Sequence, residues 1–318
     1  MIALRLTEAP KIIVTTAMVW WRAFWLRVCF MRLPPSAHQG AASKQRPQLP
    51  RAELPCLACR GSPAAMAFQR YAIYYTPTPG PFAQACAAWL GWDSAAGAPC
   101  PHPAVSRLPV LLQDLTHKPR KYGFHATLMA PFHPAPGVAP VDLCEALAQV
   151  ASTVQPIAIA DLRLTWMGRI LALVPDDIVN AQPQAPAETR RTDTVDDALG
   201  ALGALGALAT TVVKRLGAFR VPPVPVDPAT HARRGLSTRR AALLHRRGDP
   251  FTHDQFRFHM TLTGSVPAEL KGAVEAAAEC HIGPHIPRPM TVDAVTLLGS
   301  DDQARFHQIA RVPLGHAI

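Results

Sequence analysis

The chain has 318 residues, 49% of them hydrophobic and 17% charged, with a mean hydropathy of +0.08. That is enough apolar material for a sizeable core, and it excludes a wholly disordered or collagen-like chain. The seven Cys are an odd and scattered set, which excludes a complete intramolecular disulfide framework and fits a reducing, cytoplasmic compartment. The net charge of +10 is concentrated at one end, where residues 1–65 hold nine Lys or Arg against Glu8 and Glu53, so the basic pI says little about the partner of the remainder.

In chain order, Ile12–Trp21 is an apolar run about half as long as the ~20 residues of a spanning helix. Arg22, Arg27 and Arg32 follow it with no clean A-x-A cleavage site, which argues against a secretory signal. No membrane association is expected. The Pro-rich stretch through Pro34, Pro47, Pro50 and Pro55 to Pro63 reads as linker, so residues 1–65 are expected to be a disordered basic extension, with Met66 opening the functional chain. Arg70–Thr76, rich in aromatic and β-branched residues and closed by Pro77, predicts a strand. Phe82–Leu90, closed by Gly91, predicts a helix. A strand follows at Gly123–Ala130, then a helix at Val141–Val154 and strands at Ile157–Thr165 and Arg169–Val174. Val179–Asp197 is polar and Pro-containing, and Leu199–Ala209 repeats Gly-Ala-Leu as a small-residue helix. The second half predicts a strand at Phe219–Val224, a helix at Ser237–Arg247, a strand at Phe256–Thr263, a helix at Pro267–Cys280, and strands at Met290–Leu298 and Arg305–Val312. Each half runs strand, helix, strand, helix, strand, strand, an α+β protein whose halves echo each other.

The centre of each half carries nearly the same pentapeptide, Phe124-His-Ala-Thr-Leu128 and Phe258-His-Met-Thr-Leu262. Side chains alternate along a strand, so residues i and i+2 share a face about 7 Å apart. On the first strand Phe124, Ala126, Leu128 and Ala130 form the apolar face, and Gly123, His125, Thr127 and Met129 the other. On the second, Phe258, Met260 and Leu262 oppose Arg257, His259, Thr261 and Thr263. Two imidazoles and two hydroxyls lining one groove suit a phosphodiester. With an ordinary pKa near 6.5, one His can accept a proton at neutral pH while the other donates one. In-line attack places nucleophile and leaving oxygen on opposite sides of phosphorus, one near each His, and such proton transfers contribute typically about 10²–10⁴-fold each. The Thr hydroxyls can donate to the non-bridging oxygens, where charge is held. No metal or cofactor is required.

This constellation resembles the two-histidine (2H) phosphoesterase superfamily, whose signature is a pair of H-x-[ST]-x motifs, here His125-Ala-Thr-Leu128 and His259-Met-Thr-Leu262. It is closer to a phosphonate-operon-associated family through Arg70-Tyr-Ala-Ile-Tyr-Tyr75, Tyr122-Gly-Phe-His-Ala-Thr-Leu128, Phe256-Arg-Phe-His-Met-Thr-Leu-Thr-Gly264 and Arg311-Val-Pro-Leu-Gly315. The resemblance covers residues 66–315. It implies a bilobal, pseudo-twofold fold, each lobe a small, mostly antiparallel sheet with two helices, around a central cleft. The single domain 66–318 then has lobes at about 66–178 and 217–318, with 179–216 as polar insertion and connecting helix. The implied activity is metal-independent hydrolysis of a cyclic phosphodiester on a small phosphorylated sugar or nucleotide. His125 and His259 would be acid and base, and Thr127, Thr261, Tyr122 and Arg257 would bind the phosphate. RNA ends are an alternative partner, held without turnover or joined on the same scaffold. The chain departs from the family at Met129, where a Lys is common, and at Gly248-Asp-Pro-Phe-Thr-His253, where a more aromatic stretch is expected. Lys121 is a further candidate for the missing cation.

Other features carry less. Cys56-Leu-Ala-Cys59 lacks the second pair that zinc needs. His281 and His285 lack the Glu of H-E-x-x-H, and Gly200, Gly203 and Gly206 have the wrong spacing for a dinucleotide loop. The pairs Arg233–Arg234, Arg239–Arg240 and Arg246–Arg247 read as a solvated helix face that can also steer an anionic substrate.

Overall fold

A computed structural model describes residues 68–105, 108–176, 195–222 and 256–316. The N-terminal extension with Cys56 and Cys59, the helix expected at 237–247 with its arginine pairs, and the 248–253 stretch lie outside the described residues.

Strand β1 (Arg70–Tyr75) leads into helix α1 (Pro81–Leu90). Pro81 begins the helix where no intrahelical N–H is needed. Gly91 ends it in the left-handed conformation, φ 79°, its N–H donating to the Ala87 and Ala88 carbonyls. The short helix α2 (Leu112–Thr116) and a 3-10 turn at Pro119–Tyr122 precede β2 (Ala126–Phe132). Then come α3 (Pro140–Ala151), β3 (Ile157–Ile159) and the hairpin β4 (Leu162–Met167) and β5 (Ile170–Pro175). After α4 (Val195–Leu216), the second half supplies β6 (Met260–Thr261), α5 (Lys271–Ile282), β7 (Met290–Val292) and the hairpin β8 (Ala294–Ser300) and β9 (Phe306–Pro313). From each motif strand onward the two halves therefore repeat: strand, helix, short strand, hairpin.

The strands form one seven-stranded antiparallel sheet in the order β4-β5-β6-β2-β1-β8-β9, and a two-stranded sheet pairs β3 with β7. The mixed α+β, mostly antiparallel class is as expected. The halves meet edge to edge at β2 and β6, and their hairpins are exchanged: β4–β5 pairs beside β6, and β8–β9 beside β1. The β3–β7 pair takes one strand from each half, so the exchange ties the halves together.

All helices with described side chains pack on one face of the large sheet. Leu205, Leu208, Ala209, Val212, Val213 and Leu216 of α4 recur at three- and four-residue steps and are buried in that core with Leu143 and Leu147 of α3 and Leu128 of β2. Residues 202–219 are long and apolar enough by composition to cross a bilayer, but this stripe faces the protein core. The opposite sheet face carries a smaller cluster of Ala72, Tyr74, Leu298 and Phe306, with Tyr122 packed on it.

Several local expectations change. The strands expected at 157–165 and 290–298 each break in two, into β3 and β4 and into β7 and β8, whose first parts pair in the small sheet and whose second parts join the large one. Where a strand is expected at 219–224, the described residues, which end at 222, form a 3-10 turn (Gly217–Phe219) and a bridge of Arg220 to Pro134. Pro222 has no N–H to extend a ladder. The strand expected at 256–263 pairs only at Met260–Thr261, because the Leu262 and Thr263 N–H groups both turn to the Leu171 carbonyl. Met129 does not share the face of His125 and Thr127. Thr127 is opposite Tyr74 but Met129 is opposite Ile73, so Leu128 is an extra residue in a bulge that turns Met129 into the core at 3% exposure.

Candidate active site

The site is built where the two halves join. Ala126 of β2 is the antiparallel partner of Met260 of β6, and both side chains are buried on the helix face. Stepping one residue either way in this register sets His125 across from Thr261 and Thr127 across from His259, all on the opposite face. The two His are thus diagonal neighbours, as are the two Thr, about the Ala126–Met260 pair. All four are partly exposed beside fully buried neighbours. From the helix side, the Trp89 indole N–H donates to the Leu262 carbonyl at 3.1 Å and the Gly264 N–H to Leu115 at 2.6 Å, which pins the second motif.

Both imidazoles are held the same way. Nδ1 of His125 lies 3.0 Å from the Gly123 carbonyl, and Nδ1 of His259 lies 2.8 Å from the Arg257 carbonyl, in each case two residues earlier. A carbonyl only accepts, so each Nδ1 carries the proton and each neutral ring presents an Nε2 lone pair. For His125 that lone pair faces the Thr127 hydroxyl at 3.2 Å. Aiming the first carbonyl requires Gly123, whose φ of 70° disfavours other residues and where a Cβ would fall 2.7 Å from Ser94 Oγ.

Burial pushes the His125 pKa down to about 4, opposed by the Gly123 bond and deepened by the charge of His259. Burial likewise lowers His259, against the pull of its Arg257 bond. The pair therefore repels a second proton, and a proton on His259 keeps His125 neutral.

Of the other expected contributors, Tyr122 comes to the site, its ring centroid 6.0 Å from that of His125 and stacked on Phe306 at 5.3 Å. Arg257 is exposed and joins through its carbonyl. Lys121 is partly buried in the same turn as Tyr122. Met129, being internal, has no bearing on an anion. Thr263 accepts the Leu171 N–H at 2.9 Å, a structural bond at the end of β5. His281 is likewise structural, bonded to the Ala85 carbonyl and lying against Trp89. Sequence reasoning missed Tyr74, whose ring stacks on His125 with centroids 3.8 Å apart. The available signal was its even position in β1, but alternation alone does not say which strand neighbours β2.

A family model described as "Protein of unknown function (DUF1045)" matches residues 127–191 and 198–307. Among curated proteins, the chain is 31% identical over 251 residues to a ribose 1,5-bisphosphate phosphokinase PhnN of Janthinobacterium sp. (strain Marseille), covering 77% of this chain and 50% of that protein. It is 32% identical over 198 residues to the protein of the same name from Laribacter hongkongensis (strain HLHK9), covering 62% and 40%. The chain spans about half the length of the curated relatives it matches, or less. Among solved structures, one described as a phosphoesterase aligns with 79% of this chain and all of its own, at 15% identity and TM-score 0.31. E. coli LigT complexed with 3'-AMP aligns over the same shares at 15% identity and TM-score 0.30.

Proposed function

The chain belongs to the phosphonate-operon-associated DUF1045 family, and from that premise we propose that it is a phosphoesterase that opens a cyclic phosphodiester without a metal. The observation that carries the reading is the four-residue array at the strand junction: two imidazoles held at Nδ1 with Nε2 turned away from the backbone, diagonal to each other, and two hydroxyls between them.

His125 is the base in this reading, since burial holds it neutral, and His259, once it has taken up a proton, is the acid. Water attacks phosphorus and gives its proton to His125 Nε2. The bond from phosphorus to one ring ester oxygen breaks, and His259 delivers a proton to that oxygen. The products are a phosphomonoester and a neighbouring hydroxyl, and proton exchange with solvent resets the two rings. Thr127 and Thr261 donate to the non-bridging oxygens, the Thr127 hydroxyl turning from His125 to do so, and Tyr122 and Arg257 border the phosphate.

The name of the curated relatives supports a sugar substrate. Cleaving a 1,2-cyclic phosphate on ribose 5-phosphate at the oxygen of carbon 2 yields ribose 1,5-bisphosphate, the compound in that name. A hydrolase of this kind would supply such a kinase.

The test is a turnover screen of the full chain against ribose 5-phosphate 1,2-cyclic phosphate, 2′,3′-cyclic nucleotides and oligonucleotide ends, with the His125→Ala, His259→Ala double variant as blank. The sugar cyclic phosphate is expected to be hydrolysed, each single variant losing about 10²–10⁴-fold with an unchanged circular dichroism spectrum. Failure to open any cyclic phosphate, or near-native rates in both single variants, overturns the reading.

A further inference from the structure

The geometry points to Tyr74 as a positioning residue that holds the imidazole of His125 in its working orientation and stabilises it when it gains a proton. The inference rests on the reading of His125 as proton acceptor and adds a residue from outside both motifs.

Tyr74 reaches the site through strand order. β1 lies beside β2, and Tyr74 is the ladder partner of Thr127, so its side chain rises on the motif face next to His125. The two rings are nearly parallel, with centroids 3.8 Å apart and planes inclined by 22°. Tyr74 is wholly buried and cannot easily give way: Ala72, Leu298 and Phe306 pack around it, the Phe306 ring 5.9 Å off. Tyr122 closes another side of His125 and leans on the same Phe306. The imidazole is therefore fixed at Nδ1 by Gly123, at Nε2 by Thr127, and over one face by Tyr74. Among the described residues no ring stacks on His259, so the two otherwise symmetric His differ in this support.

The chemistry of the stack fits a proton acceptor. An aromatic face carries the negative part of a quadrupole, so it attracts an imidazolium more than a neutral imidazole. Burial opposes the cation at His125, and the Tyr74 face offsets part of that opposition at the moment Nε2 takes the proton from water. Holding the ring plane also keeps Nε2 aimed at the attacking water, where an error of about 1 Å can cost on the order of 10²-fold.

Three variants of the full chain test this: Tyr74→Phe keeps the ring, while Tyr74→Leu and Tyr74→Met remove it. The ring-removing variants are expected to lose about tenfold or more in kcat with KM within about threefold, and Tyr74→Phe to stay within about threefold in both. A folded Tyr74→Leu or Tyr74→Met protein with native kcat overturns the proposal, as does a Tyr74→Phe protein as impaired as they are, since the hydroxyl would then be the operative group. Proton NMR of the native protein gives a readout that needs neither substrate nor variant. The ring protons of His125 should lie upfield of those of His259, shielded by the tyrosine face, and equal shifts overturn the stack itself. A chain that hydrolyses no phosphodiester but shows the upfield shift would sink the functional reading and leave the stack standing.

Discussion

Ala126 and Met260 are antiparallel partners on strands from different halves of the chain, and that one pairing decides the site. It sets His125 against Thr261 and Thr127 against His259, so the two hydroxyls and the two imidazoles share one patch of the sheet face. Replacing Thr261 by Val is therefore expected to lower kcat about 10–10²-fold through a lost phosphate contact, with little change in fold. Replacing Thr127 by Val should do the same and also free His125 Nε2 of its 3.2 Å bond. Steady-state kinetics on the cyclic phosphate checks both, and unaltered kcat in the two variants would remove the hydroxyls from the mechanism.

Gly123 is expected to tolerate no side chain. At φ 70° with Ser94 Oγ 2.7 Å from where a Cβ would sit, Gly123→Ala strains the backbone and displaces the carbonyl that holds His125. A loss of about 1–3 kcal/mol in stability is expected from the strained conformation, together with a fall in kcat. Urea unfolding and kinetics on the same sample measure the two, and an Ala variant of native activity would show that the carbonyl is not needed.

The pH profile of kcat/KM should be a bell on the acid side of neutrality. Activity rises as His125 loses its proton near about 4, and falls as His259, lowered by burial from 6.5, loses its own. An optimum between those limits is expected. Because the charge on His259 is part of what lowers His125, an NMR titration of the His259→Asn variant should show the His125 pKa moved upward. A profile centred well above neutrality, or no movement of His125, would contradict the coupling.

Acid should destabilise the fold through the same rings. Above about 6.5 both folded and unfolded chains carry neutral His, and no stability is lost. As pH falls from there toward about 4, the unfolded chain binds a proton that folded His125 refuses, so stability declines across that window. Thermal unfolding at a series of pH values should show a shallower decline for His125→Gln than for the native chain.

How much of this was legible in the sequence differs from element to element. α1 with its Gly91 cap, α3 and the hairpin strands followed from residue types whose preferences act within a few positions. Two errors have nonlocal causes. Met129 was assigned to the wrong face because alternation assumes an unbroken ladder, and the bulge at Leu128 exists only because β1 pairs there with a shifted register. The strand around Phe258 proved short because Leu262 and Thr263 bond to Leu171, a residue about ninety positions away.

The sequence by itself determined that two His-x-Thr strands exist and that each turns His and Thr away from an apolar face, since alternation is a property of the extended backbone alone. Only the tertiary structure decided that β2 and β6 lie side by side, that Gly123 and Arg257 supply the carbonyls that orient the rings, and that Tyr74 stacks on just one of them. The physical reason is that local preferences fix which way a side chain points, whereas the packing of a whole sheet fixes what it meets there.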